Sequence, residues 1–246
     1  MKNYTEENRI RPDILTAGVY WAIIIIMIYN IIAYRFYGDK GAFFAAGPLW
    51  LYGIFYSIFV LGVQKSVYIM VRLRARRSQY LNAETNMERS LRLFGAVGVI
   101  LGIFLLALGF SFSKYLLGSS RGTFQCILVA LSLFLLCSQG VLRGYLQGLN
   151  YTKPIIISDL LIAAVTVVFG TILSKALYDY GVKVNGLFHV DDFSAVYGSC
   201  GMLMGFFAGS LAGLIQIGVS FFLRKSEISD FVKTGAPRYL DNKNDV

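Results

Sequence analysis

One histidine, three cysteines and four prolines in 246 residues leave little material for soluble-type catalysis. No Cys/His cluster, nucleotide-cradling glycine loop or nucleophile triad is present, so the chain reads as neither an enzyme nor a cofactor binder. His189, Asp191 and Asp192 supply the only ligand-like cluster, and three groups within four residues of a loop read as ordinary loop polarity rather than a metal site. Cys126, Cys137 and Cys200 all fall inside apolar stretches. On one helix Cys126 and Cys137 stand about 16 Å apart, which excludes a disulfide between them; the thiols read as small buried apolar groups. Charged residues make up 15% of the chain against 56% hydrophobic, which leaves no room for a sizeable soluble domain. The first apolar stretch is too long for a signal peptide and no A-x-A-like site follows it, so no cleavable leader is expected.

What the chain has instead is six long apolar stretches: Ile14–Tyr34, Ala45–Val71, Leu91–Phe112, Thr123–Leu142, Pro154–Tyr178 and Ala195–Leu223. About 20 apolar residues in a helix span the ~30 Å hydrocarbon core, so each stretch is long enough. The expected fold is all-α, a polytopic bundle of six transmembrane helices. It occupies residues 14–223, with a polar cytoplasmic segment at 1–13, partly interfacial, and a tail at 224–246 that is either a linker or a free end. With the N-terminus placed inside, sixteen of the 23 Lys and Arg lie in cytoplasmic segments and six in outer ones, with Lys65 inside the second span. That bias sets both termini in the cytoplasm. The net charge of +9 then marks topology and contact with anionic membrane lipid, not nucleic acid.

Between the first two spans, Phe36–Gly41 reads as a tight outer turn suited by its glycines. Residues 72–92 hold no Gly or Pro, so the second span is expected to continue as a charged helix in which Glu84 and Glu88 pair with Arg89 and Arg92. A solvated face is the preferred reading there over binding of anionic lipid or substrate charge. Asp179–Ser194 is expected to be the longest and least regular outer loop. Glycines recur every four residues at Gly201, Gly205, Gly209 and Gly213, at Gly98 and Gly102, and at Gly140, Gly144 and Gly148. Such stripes let backbones approach where lipid removes the hydrophobic drive; they serve packing within the bundle or a seam between copies.

Ionisable and polar groups inside spans are costly and therefore informative. Trp50, Ser57, Gln64 and Tyr68 share one stripe of the second span with Lys65 at its edge, and Tyr20, Met27, Asn30 and Tyr34 form another on the first. A hydrated pathway between those faces would be lined by Asn30, Gln64, Lys65 and Tyr68. Snorkelling of Lys65 to the inner headgroups is the alternative. Asp159, one turn into the fifth span, reads as an interfacial ion pair with a nearby cation rather than a proton relay.

The segment Arg143-Gly144-Tyr145-Leu146-Gln147-Gly148 followed by Pro154 and Ser158 resembles the R-G-Y-F-Q-G…P…S loop between helices four and five of polysaccharide and lipid-linked oligosaccharide flippases. The nearest branch looks like the stage V sporulation protein B group of the multidrug/oligosaccharidyl-lipid/polysaccharide flippase superfamily. Arg35-Phe36-Tyr37-Gly38 looks like that family's R-L-F-G turn. The chain departs from the pattern at Gly62-Val63-Gln64 in place of G-I-P, and at Ile162 and Ala163 in place of a Glu-Gln pair. Ile28 and its apolar neighbours replace the helix-one arginines of peptidoglycan-precursor members. The resemblance implies one lobe of a two-lobe transporter, with a lipid-linked glycan as cargo and a second lobe or a second copy as partner, in the cytoplasmic membrane. Arg143, Gly144, Gln147, Gly148 and Pro154 would then form a rigid inner corner: glycines for a tight exit, proline for the first turn of the next span, arginine for loop carbonyls or phosphate. The corner would brace the cytoplasmic gate or touch substrate. Further readings are a non-transporting membrane subunit or assembly factor, or a truncated lobe. An ion-coupled drug exporter is disfavoured because no acid lies near the middle of a span.

Overall fold

The computed structural model describes residues 12–116 and 122–225, with side chains over 20–115 and 122–225. The polar segment ahead of Pro12, Arg121 and the tail beyond Lys225 lie outside the described residues.

Helices make up nearly all that is described, and no strand occurs among the described residues. Helix α1 (Pro12–Phe55) runs without a loop into a π-helical segment (Tyr56–Gly62) and α2 (Val63–Ala75). Then come α3 (Tyr80–Leu116), α4 (Thr123–Gly148), α5 (Lys153–Phe188) and α6 (Phe193–Leu223). Five helical runs are long and apolar enough to cross a membrane: Tyr20–Ala75, Tyr80–Tyr115, Thr123–Gly148, Lys153–Phe188 and Phe193–Leu223. By length and apolar character this is a helical membrane protein.

The first of those runs is not straight. Gly38 has φ 60° and ψ −164°, a conformation that glycine alone adopts without steric cost, and Tyr34 donates a hydrogen bond to Asp39 across the break. The rings of Tyr29 and Tyr52 lie 6.3 Å and 5.2 Å from the same ring of Phe206, whereas a straight helix would hold residues 29 and 52 about 35 Å apart. The chain therefore doubles back at Gly38 into arms 12–37 and 39–75, and the parts of both arms nearest the break pack against α6. The expected turn falls at that single residue rather than over a six-residue loop.

Two other connections differ from expectation. The charged segment after the second apolar stretch does not prolong that helix: the chain turns at residues 76–79, where Ser78 takes φ 56° and the Gln79 amide donates to the Arg74 carbonyl. The polar residues from Tyr80 onward begin α3 instead. Most of the expected outer loop at 179–194 is helix, because α5 runs on to Phe188 and ends at His189 in a left-handed cap. The Asn185 side chain then holds both the Ser194 hydroxyl (3.1 Å) and the Phe193 amide (2.9 Å), leaving only a short link. At the same end of the bundle as the Gly38 reversal, Lys40 meets Asp192 at 2.9 Å.

α4 is the centre of the bundle, with 19 of its 26 residues buried. Its glycines explain how the neighbours approach. A methyl group on Gly140 would strike the Phe59 carbonyl, one on Gly144 the backbone of Gln64, and one on Gly148 the side chain of Val71. Arm 39–75 thus packs backbone-close along α4, with Val60, Val63, Val67 and Val71 buried between them. Gly98 and Gly102 of α3 face Cys137 and the Ala130 carbonyl on the other side of α4. On α6, Gly201, Gly205 and Gly209 face Ser174, Gly170 and Thr166 of α5, and Gly213 faces Ile162 of α5 and Gln139 of α4. That stripe is occupied within the chain, which leaves no room along it for a seam between copies.

Candidate functional site

The outward surface of the bundle is chemically uneven. Between residues 93 and 110 every exposed residue of α3 is apolar, Ile100, Ile103 and Phe104 among them, and the same holds for α5 between 157 and 172 and for α6 between 211 and 223. Arm 39–75 breaks the pattern. Of its nine exposed residues between 50 and 66, five are Gly53, Ser57, Gly62, Lys65 and Ser66, interleaved with Trp50, Ile54, Ile58 and Leu61. They recur at helical spacing, so they form one stripe. Its upper part is an open groove walled by Leu49, Trp50, Gly53, Ile54, Ser57 and Ile58, and nothing lies within 4 Å of where a Gly53 side chain would begin.

The residues expected to line a cavity do not come together. Lys65 is exposed on the stripe, and Tyr68 is half-buried beneath the Arg72 guanidinium, 5.6 Å from its ring centre. Gln64 turns inward, and its amide donates to Gln147 of α4 at 2.8 Å, joining a residue of the expected cavity to one of the expected corner. Asn30 is a correction. Because the chain reverses at Gly38, Asn30 lies roughly 25 Å from Gln64 along the bundle axis. Its side chain donates to the Ile26 carbonyl of its own helix at 2.8 Å.

The inner corner is also built differently from its sequence reading. Gly144 and Gly148 lie inside α4 and serve the close approach of arm 39–75, not the exit. The exit is made by Asn150, whose φ is 71°. Pro154 occupies the first turn of α5, where its missing N–H costs nothing. Arg143 reaches neither loop carbonyls nor a surface phosphate. It is 1% exposed, and its Nη2 donates to Asp159 Oδ1 at 2.5 Å, with both side chains enclosed. The expected ion pair of Asp159 is thus made, and it is enclosed within the bundle, linking α4 to α5. The Tyr56 hydroxyl of the π-segment lies against the Arg143 guanidinium. Gln139, one turn earlier on α4, reaches Ser158 Oγ at 3.5 Å, and Ser158 donates to the Gly213 carbonyl at 3.3 Å. Arm 39–75, α4, α5 and α6 thus meet at one polar knot in an apolar interior.

Sequence reading missed Tyr56 and Gln139 in this knot. Gln139 was within reach of it, since it precedes Arg143 by four residues and so shares its helix face. Tyr56 carried no signal, because a π-helical turn shifts side chains out of the 3.6-residue register on which the face was drawn.

No group of three potential metal ligands occurs among the described residues. No protein-family model matches the chain, and no curated protein or solved structure matches it either.

Proposed function

We propose that this protein is one lobe of a two-lobe transporter that moves a lipid-linked oligosaccharide or polysaccharide precursor across the cytoplasmic membrane. The observation that carries the reading is the mixed stripe on arm 39–75. A surface that faces only hydrocarbon has no use for an exposed lysine, two serines and two glycines, while α3, α5 and α6 keep to apolar residues there. In this reading the stripe faces a hydrated space between lobes. Lys65 meets the phosphate of the cargo's headgroup, Ser57 and Ser66 supply hydrogen bonds, and the lipid tail stays in the bilayer. Gln64 acts by tying the stripe to Gln147 at the inner corner, and the Arg143–Asp159 pair holds that corner closed. The reversal at Gly38 supports counting arms 12–37 and 39–75 as two crossings, six in all, with both termini in the cytoplasm as the Lys and Arg bias requires. The resemblance of the 143–158 segment to the flippase loop supplies the cargo class.

The test is a flipping assay with fluorescent lipid-linked glycan in proteoliposomes, run on the purified chain alone and on the chain with a candidate second lobe. Translocation only when both are present, lost in Lys65→Ala, supports the reading. Translocation by the monomeric chain alone would remove the need for a second lobe. A Lys65→Ala variant with full activity would remove the stripe from the transport path.

A further inference from the structure

Four polar atoms in the knot have no hydrogen-bond partner within the protein: Nε and Nη1 of Arg143, Oδ2 of Asp159 and Oε1 of Gln139. Their residues are 1%, 2% and 0% exposed, respectively. A buried polar atom that gives up hydration without gaining a bond is destabilising, and a charged one more so. The orphans here are of both kinds. Arg143 holds spare N–H donors, and Asp159 and Gln139 hold spare oxygens, all around one ion pair. Water is the ligand that fits such a mixture, since each molecule accepts from one neighbour and donates to others. An inorganic anion would use the donors but repel Asp159, and a metal cation would use the oxygens but repel Arg143.

Hydration has a chemical consequence. Asp159 is the single acid buried among the described residues. Its Oδ1 is held by Arg143, while Oδ2 is bare. The ionisable groups facing it are Arg143 from α4 and Tyr56 from the π-segment. α6 contributes the Gly213 carbonyl through Ser158, and Lys153 stands exposed at the start of α5.

We propose that the Arg143–Asp159 pair is a hydrated proton-binding site, in which bound water bridges the orphan atoms and Asp159 takes up a proton on Oδ2 while the bundle stays folded. One O–H bond forms, with the proton delivered from solvent through the bound water. Oδ1 continues to accept from Arg143, the new hydroxyl donates to water or through it to Gln139 Oε1, and no contact between helices has to break. Both protonation states then keep a full set of hydrogen bonds, and the bound water solvates the Arg143 charge that the neutral acid no longer offsets, which a dry structural pair lacks. The inference concerns the bundle itself and does not rest on the cargo.

Infrared difference spectroscopy on the full chain in lipid nanodiscs, stepped from about pH 8 to about pH 5, tests it. The expected result is a narrow carbonyl stretch worth one neutral carboxylic acid per chain, over the broad background of the other acids as they begin to protonate at about pH 5, gained while the helical amide band is unchanged. That stretch should move promptly in heavy water, disappear in Asp159→Asn and shift in Asp159→Glu. Should Asp159→Asn fail to fold, the wild-type titration and the Asp159→Glu shift still decide. A carboxylic acid band that appears only as the helical amide band is lost would overturn the proton site. A band that is unaltered in Asp159→Glu would assign it to another acid, and one that resists exchange in heavy water would overturn the hydration.

Discussion

Arm 39–75 and α3 are both bare on their outer faces, yet they are bare in different ways. From 93 to 110, α3 shows only apolar side chains, whereas from 50 to 66 the arm mixes Gly53, Ser57, Gly62, Lys65 and Ser66 with its large apolar residues. Exposure alone does not tell a lipid-facing surface from one awaiting water or protein; composition does. A lysine at the middle of a spanning helix costs about 2.5–3.5 kcal/mol against hydrocarbon, and less towards an end, where Lys65 sits and can snorkel. The α3 face never bears such a cost. The arm bears part of it, or carries Lys65 out to the headgroups, or does not face hydrocarbon at all.

The largest effects lie in the scaffold that displays the arm. Gly205→Leu should abolish the folded monomer in detergent, because its side chain would enter the backbone of α5 at Thr166 and Gly170. Gly53→Leu, on the open stripe, should melt like the wild type and lose only function. Size-exclusion profiles and thermal melting separate the two, and equal damage at both positions would erase the distinction between packed and displayed glycines. Next comes the knot: Arg143→Met should destabilise by about 3–5 kcal/mol by leaving Asp159 buried and unpaired, and the double variant Arg143→Met with Asp159→Leu should regain most of that. A double variant as unstable as the single one would show that the pair does more than neutralise itself.

A smaller effect addresses the faces directly. With the three buried native cysteines replaced, single cysteines at Ser57 and Ser66 should react with a water-soluble maleimide on the order of tenfold faster than at Ala96 and Ala107 of α3, since the reactive thiolate needs water. Equal rates would make the two faces alike. The smallest expected change is in the stability of Lys65→Leu, which should lie within about 1 kcal/mol of wild type if the stripe meets a hydrated space. A gain of about 2.5–3.5 kcal/mol would instead place Lys65 in hydrocarbon.

Much of the architecture was legible along the chain. Hydropathy alone located most of the apolar helical length, and a break within Phe36–Gly41 was readable because a positive φ is a local demand that glycine meets, though not its confinement to Gly38. Pro154 at the start of α5 was readable for the same kind of reason. The glycine stripes were recognisable as packing surfaces, though not their partners. Where the reading failed, the failure was one of placement. Asn30 carries a polar side chain at a helical spacing that matched a cavity face, but periodicity does not report depth, and its amide is spent on the Ile26 carbonyl. Arg143 sits near the end of an apolar stretch, so an interfacial role followed from position. Only the close approach of arm 39–75 over Gly140 and Gly144 encloses it.

The sequence by itself determined that the chain is built of long apolar helices, roughly where most of them lie, and that a sharp turn falls within Phe36–Gly41, since apolar run length and glycine's backbone freedom act within a few residues. Tertiary structure decided which arginine met which aspartate, that both were sealed inside, that the α6 glycines were taken up by α5, and which face of arm 39–75 remained outward. Those outcomes depend on which helices become neighbours and at what depth, and segments far apart in sequence fix that jointly by close packing.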